Sequence, residues 1–230
     1  MTAFTDPGCL VVIPAHNEAH DIARVVTEVR EIHGLDVAVV DDASQDNTVK
    51  RARAAGAQVL PLSVQLGAWG ATQAGMRYAL RHGYERVLTM DADGQHEAVW
   101  IPNLLSPVIK GDADVTIGCC VRRGSRMRKI AWRILKAVSG LTREDITSGF
   151  RAYNRTAFRL LASREATLLE YQDVGVLVLL RNAGLDTHDV EVTMLPRRSG
   201  TSRVYHSWFA VMYYMCHTIL LGISKRRVRR

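Results

Sequence analysis

The sequence predicts an α/β protein: a mostly parallel sheet flanked by helices, Rossmann-like in its layering. Three observations carry this. Short apolar, β-branched runs alternate at least four times with segments of helical period, the signature of successive strand–helix units. Three of those runs end in polar clusters: Pro14 to Glu18, Asp41 to Asp46, and Asp91 to Gln95. In open α/β sheets, ligands bind in the crevice outside the carboxyl ends of the strands. Finally, 230 residues at 47% hydrophobic suffice for one substantial core, and no repeat or linker divides the chain.

The elements follow in order. Cys9 to Pro14 is an apolar strand, and Ile22, Val25, Val26 and Val29 then mark one face of a helix. Asp36 to Asp42 is a second strand, leading through Ser44, Asp46 and Thr48 into a helix around Val49 to Ala55; Ser44 and Asp46 are candidate caps for it. The strand Ala57 to Leu62 meets a glycine-bearing loop, Gly67-Ala-Trp-Gly70, that opens a helix through Leu80. Arg86 to Met90 is the fourth strand, with a helix near Val99 to Ile109, and Ala113 to Gly118 is the fifth. Arg122 to Met127, rich in arginine with Gly and Ser, reads as a loop, and Lys129 to Val138 as an amphipathic helix. Helical patterns cover 155 to 163 and 172 to 183, Asp186 to Leu195 is a strand, and Arg197 to Ser202 a turn.

Charge and cysteines set broad bounds. The net charge of +7 is concentrated in Arg122 to Lys136 and in Lys225, Arg226, Arg227, Arg229 and Arg230, so the chain attracts anions of some kind: nucleic acid, acidic headgroups or phosphorylated substrates. The four cysteines have no metal-binding or redox spacing, which fits a reducing compartment, and the first eight residues lack the basic and apolar parts of a secretory signal. The apolar run Trp208 to Ile223 has 16 residues, as a helix about 24 Å long against a hydrocarbon core of about 30 Å. With aromatics at its start and a basic tail after it, it suits a helix lying on a bilayer or docked on a small membrane protein; a core helix with a solvated tail is the alternative.

The Asp91-Ala-Asp-Gly-Gln95 stretch puts two carboxylates at a strand end, with Gly94 for a sharp turn and an amide oxygen nearby. Hard cations such as Mg²⁺ or Mn²⁺ take oxygen ligands of this kind and complete their shell with water and substrate phosphates. A solvated surface turn is the alternative reading of the same residues.

Taken together, Val12 to Glu18 with its Pro-x-x-Asn-Glu loop, Val39 to Thr48 with Asp-Asp-x-Ser-x-Asp-x-Thr, and Met90 to His96 with Asp-x-Asp resemble glycosyltransferase family 2 in order and spacing. That resemblance implies a glycosyltransferase A-type fold and a nucleotide-diphosphate sugar donor. It implies Pro14, Ala15, Asn17, Glu18, Asp42, Gly70 and Asp91 around the nucleotide sugar, with Asp42 accepting from the base. Asp91, Asp93 and Gln95 would hold a divalent ion on the diphosphate, which neutralises the leaving group.

Asp145 to Arg155, containing Ser148-Gly-Phe-Arg151, and Glu191 to Ser202, containing Arg197-x-x-Gly-x-Ser, are similar to the dolichyl-phosphate mannose synthase branch, whose acceptors are polyprenyl phosphates. Residues 1 to 205 would be the catalytic domain and 206 to 230 a membrane-seeking helix and tail. The resemblance assigns Arg122, Ser148 and Arg151 to the acceptor phosphate and Arg197 to the donor diphosphate; with Asp93 these form the catalytic group. Arginine's planar fork suits phosphate oxygens. A phosphate monoester is already anionic, so transfer to it needs no general base, and inversion by in-line attack is implied. Gln65-Leu-Gly67, Trp69, Glu97 and Thr201 depart from the branch's usual residues and leave the sugar open. The alternative acceptor is a saccharide hydroxyl in cell-envelope assembly. The expected location is the cytoplasmic face of the membrane, and no nucleic-acid partner is expected.

Overall fold

The computed structural model describes residues 6–120, 148–167, 169 and 174–195. The strands are β1 (Cys9–Ala15), β2 (Asp36–Asp41), β3 (Gln58–Pro61), β4 (Arg86–Thr89), β5 (Val115–Cys119), β6 (Arg151–Asn154) and β7 (Thr187–Glu191). The helices are α1 (Ile22–His33), α2 (Thr48–Ala54), α3 (Gly67–Arg81), a 3₁₀ turn (Ala98–Trp100), α4 (Ile101–Lys110), α5 (Arg155–Leu161), α6 (Arg164–Thr167) and α7 (Val174–Asn182).

These strands form one sheet in the order β3-β2-β1-β4-β6-β5-β7. Strands β1 to β4 pair in parallel, as do β5 and β7, while β6 is antiparallel to both of its neighbours. The order reverses between β1 and β4, whose connections leave in opposite directions, and it is beyond the carboxyl ends of two such strands that open α/β sheets form their ligand crevice. This is the mostly parallel sheet that the strand–helix alternation predicts.

Each face of the sheet is covered, so β1 reads as a continuous apolar run rather than an alternating one. Leu10 and Val12 join Trp69 and Met76 of α3, Phe158 of α5 and Val176 of α7 in one core. Val11 and Ile13 join Val25 and Val29 of α1 and Leu104 of α4 in the other. A Cβ on Gly75 would stand 2.3 Å from Val12 Cγ1, so glycine lets α3 lie directly on β1.

Two readings need correction. The segment Gly67 to Gly70 is the first turn of α3 and not a loop before it. Arg151 to Asn154, read only as part of an acceptor motif, is a central strand. Its sequence, Arg-Ala-Tyr-Asn, holds no β-branched residue and is too short and polar to show a strand pattern, yet Ala152 and Tyr153 pack into opposite cores. The helical pattern at 155 to 163 is α5, and the short helix α6 follows it. The expected loop at 122 to 127, the helix at 129 to 138, the turn at 197 to 202, the run 208 to 223 and the basic tail lie outside the described residues.

Candidate active site

The crevice is built on two strand-end loops that are tied to each other. After β1 the chain passes Asn17, whose φ is 55°, and after β2 it passes Ala43 with φ 57°, both in the left-handed region that non-glycine residues seldom occupy. Local cross-bonds hold these turns. The Asn17 N–H donates to Ser44 Oγ at 2.9 Å, and the Gln45 N–H donates to Asn17 Oδ1 at 2.8 Å. The Glu18 N–H donates to Thr48 Oγ1 at 2.8 Å, and the Ala19 N–H to Asp46 Oδ2 at 3.1 Å. His16 Nδ1 donates to the Asp42 carbonyl at 2.6 Å, and its Nε2 accepts from Asn17 Nδ2 at 3.2 Å. Burial pushes the Asp46 carboxyl up, but hydrogen bonds from Thr48 and Ala19 outweigh it and hold the group below the usual carboxylate range. Ser44 therefore serves the neighbouring loop instead of capping α2, whereas Asp46 accepts from the Thr48 N–H at the helix start at 2.9 Å.

Asp42, expected against the base, is 3% exposed and already engaged. Its two carboxylate oxygens accept the N–H groups of Leu66 at 2.6 Å and Gly67 at 2.9 Å, the first donors of α3, where a negative charge also suits the helix dipole. Gly70 lies one turn further on, where a Cβ would come within 2.5 Å of Leu66 Cβ, so glycine permits this loop to fold back on the helix. Pro14 and Ala15 end β1, and Ala15 O receives the Asp42 N–H at 2.8 Å.

The acidic turn follows β4. The Asp91 side chain is 45% exposed toward the crevice, whereas Asp93 and Gln95 are buried. Gly94, with φ 70°, turns the chain so that the Gln95 N–H donates to Asp93 Oδ1 at 3.1 Å. Gln95 donates through its amide nitrogen to Leu195 O at 3.4 Å, which sets the amide's orientation. A Cβ on Gly149 would lie 2.7 Å from Asp91 Oδ1, so glycine lets the segment entering β6 come down on that carboxylate without displacing it. Among the described residues no three His, Cys, Asp or Glu side chains form a metal cluster. Two carboxylates and one amide still fit a hard divalent ion of the kind that keeps waters and takes phosphate oxygens from its substrate.

Ser148 and Arg151 meet this turn from the other side. The Thr89 hydroxyl donates to Gly149 O at 2.7 Å, linking the end of β4 to the Ser148-Gly149 segment. Arg151 is fully buried, its Nε donating to Ser148 O at 2.8 Å, so its charge lies under the serine instead of on the crevice surface. After β7 the chain returns to the acidic turn. His96 bridges Met194, the Leu195 N–H donates to Gln95 O at 2.9 Å, and Trp100 Nε1 donates to Thr193 Oγ1 at 2.9 Å. Arg122 and Arg197 lie outside the described residues. The structure thus brings together Pro14, Ala15, Asn17, Glu18, Asp42, Asp91, Asp93, Gln95, Ser148 and Arg151 at the carboxyl ends of β1, β2 and β4 and at the start of β6. His16, Thr89, His96 and Gly149 are additional participants. Only their nearness to the motifs marked them in the sequence.

This sheet with its flanking helices has the fold of the A-type glycosyltransferases. A solved glucosyl-3-phosphoglycerate synthase from Mycobacterium tuberculosis, crystallised with Mn²⁺, uridine diphosphate and phosphoglyceric acid, superposes with a TM-score of 0.74 at 22% identity, covering 96% of this chain and 79% of that one. The pattern of glycosyl transferase family 2 matches residues 10–167, and the chain belongs to that family. Among its relatives, the undecaprenyl-phosphate mannosyltransferase of Micrococcus luteus is 32% identical over 85% of this chain and 86% of its own length. The polyprenol monophosphomannose synthase of Mycolicibacterium smegmatis is 29% identical over 85% and 80%.

Proposed function

We propose that the protein moves a hexose from a nucleotide-diphosphate sugar to a polyprenyl phosphate, with inversion, at the cytoplasmic face of the membrane. The observation that carries this reading is the contact between the two motif regions: Gly149 of the acceptor-type segment sits on the carboxylate of Asp91 in the acidic turn. A donor diphosphate at Asp91 and an acceptor phosphate at Ser148 would then be neighbours. The relatives from M. luteus and M. smegmatis, named for undecaprenyl phosphate and polyprenol, support the acceptor class.

In this reading the tied loops after β1 and β2 offer a rigid floor for the nucleoside, bordered by Pro14, Ala15, Asn17, Glu18 and the Asp42–α3 junction with Gly70. Rigidity matters because an ordered floor loses little entropy when the ligand arrives. Asp91, Asp93 and Gln95 would hold Mg²⁺ or Mn²⁺, which when bound supplies charge neutralisation for the departing diphosphate. The proposal assigns Ser148, the charge of Arg151 beneath it and Arg122 to the acceptor phosphate, and Arg197 to the donor diphosphate. One acceptor oxygen forms the new bond to the anomeric carbon as the bond to the diphosphate breaks on the opposite side. The monoester is already anionic, so the protein aligns the reactants and stabilises charge without removing a proton.

No helix among the described residues is long and apolar enough to cross a membrane. Peripheral attachment through residues 206 to 230, with a small membrane protein as a further partner, completes the proposal. The test is incubation of the purified protein with labelled GDP- and UDP-sugars, Mg²⁺ or Mn²⁺, and a short-chain polyprenyl phosphate in detergent. Label in the lipid phase with one donor is the expected result. Transfer only to free saccharides would replace the acceptor, and no turnover of any donor would refute the reading.

A further inference from the structure

The ring of His96 is 1% exposed and is held on three sides. Its Nδ1 accepts the backbone N–H of Asp91 at 3.0 Å, its plane stacks on Phe150 at 4.9 Å and 13°, and its Nε2 points to Asp91 Oδ2 at 3.7 Å. Because Nδ1 receives a proton, the neutral ring carries its own proton on Nε2. That Nε2 is buried without a hydrogen-bond partner. A buried donor with no partner is costly, and the Asp91 carboxylate at 3.7 Å is slightly too far away for a normal hydrogen bond. On its other oxygen the same carboxylate meets Gly149, which precedes Phe150 in the chain.

We propose that His96 is a positioning residue for Asp91: it fixes the backbone of this ligand through Nδ1 and orients the carboxylate through Nε2–H, while Phe150 sets the plane of the ring. The inference rests on the divalent-ion role proposed for Asp91. Groups that hydrogen-bond a metal ligand from behind fix its orientation, and losing one commonly lowers metal affinity by about ten- to a hundredfold. Because Phe150 belongs to the segment that carries Ser148 and Arg151, the ring also links the geometry of the acidic turn to the acceptor side.

The test is titration of Mn²⁺, followed by the electron paramagnetic resonance of the free ion, with UDP and in parallel with GDP. His96→Asn offers an amide oxygen near the position of Nδ1 but has nothing at Nε2; His96→Gln offers an N–H near Nε2. Wild type is expected to bind Mn²⁺ with one of the two nucleotides. His96→Asn should weaken that binding about tenfold or more, with nucleotide affinity in the absence of metal unchanged, and His96→Gln should recover part of the loss. Equal Mn²⁺ affinity in wild type and His96→Asn overturns the positioning role alone. Wild type that binds Mn²⁺ with neither nucleotide overturns the metal reading and this inference together. Should His96→Asn fail to fold, ¹⁵N spectra of the wild-type imidazole decide: a proton on Nε2 whose resonance moves on adding Mg²⁺ and the nucleotide is expected, and a proton on Nδ1 refutes the arrangement.

Discussion

The two halves of the sheet are assembled differently. From β1 to α4 the chain adds one strand and one helix at a time, each strand parallel to its neighbour, and the loops that reach the crevice are fixed by side chains of the adjacent loop. Beyond α4 the order is no longer sequential: β6 inserts between β4 and β5 against the direction of both, and β7 joins the far edge. The first half offers a floor that its own sequence makes rigid. The second brings groups to that floor from a distance, through contacts between residues far apart in the chain, such as Thr89 to Gly149 and Leu195 to Gln95. Donor-side residues should therefore respond to mutation as parts of a local framework, and acceptor-side residues as parts of a long-range fit.

The largest effect is expected where the halves meet. Asp93→Ala should reduce transfer by about a hundred- to a thousandfold, the several kcal/mol that a cation on the leaving group contributes, while the thermal midpoint without metal changes little. Excess EDTA should inactivate wild type to the same degree. Full turnover in either case would remove the metal from the mechanism.

Arg151→Ala tests the second half alone. The acceptor kcat/KM should fall about a hundredfold through loss of the buried charge under Ser148, with the donor dissociation constant unchanged by calorimetry. Loss of donor affinity with normal acceptor kinetics would move Arg151 to the other substrate.

For the first half, Asp42→Ala leaves the N–H groups of Leu66 and Gly67 without their carboxylate. Urea denaturation should show a loss of roughly 3 kcal/mol, because hydrogen bonds to charged acceptors contribute about 1.5–3 kcal/mol each and water replaces part of that. An unchanged midpoint would mean that Asp42 serves only the ligand.

The smallest effect concerns Asp46, an exposed group for which solvent screening keeps the energy below about 1 kcal/mol. Its carboxyl is held lower in the folded chain than in the unfolded one. The stabilisation it gives is therefore complete above about pH 4 to 5 and is lost as pH falls through the folded value. The stability gap between wild type and Asp46→Asn should narrow on going from about pH 6 to pH 3. A gap that stays constant would show that the bonds from Thr48 and Ala19 do not depend on the charge.

Legibility in the sequence follows the same division. Periodicity was sufficient for β1 through α4 because each element there buries its own apolar face against its sequence neighbours. The Asp-x-Asp turn and the paired loops could be found because their polar residues interrupt apolar strands. Strand β6 could not, since its strand character comes from the Thr89–Arg151 and Ile117–Arg151 pairings, contacts too distant for a local pattern to record. Nor could the burial of Arg151: an arginine in a polar segment looks solvated until Ser148 is seen to cover it. His96 stands in the sequence only as the end of the Met90 to His96 motif, and the plane of its ring depends on Phe150, more than fifty positions away.

The link between Gln95 and Leu195 spans 100 positions. A ribosome makes the chain from the amino end, and by the time α4 has emerged every acid of the crevice has been synthesised. The acidic turn is nevertheless incomplete at that moment, because Met194 and Leu195, which bridge His96 and bond Gln95, have yet to be translated. Of all the crevice, this turn is therefore among the last parts to mature, and a polypeptide interrupted before residue 192 would carry Asp91, Asp93 and Gln95 without the contacts from Met194 and Leu195 that close their turn.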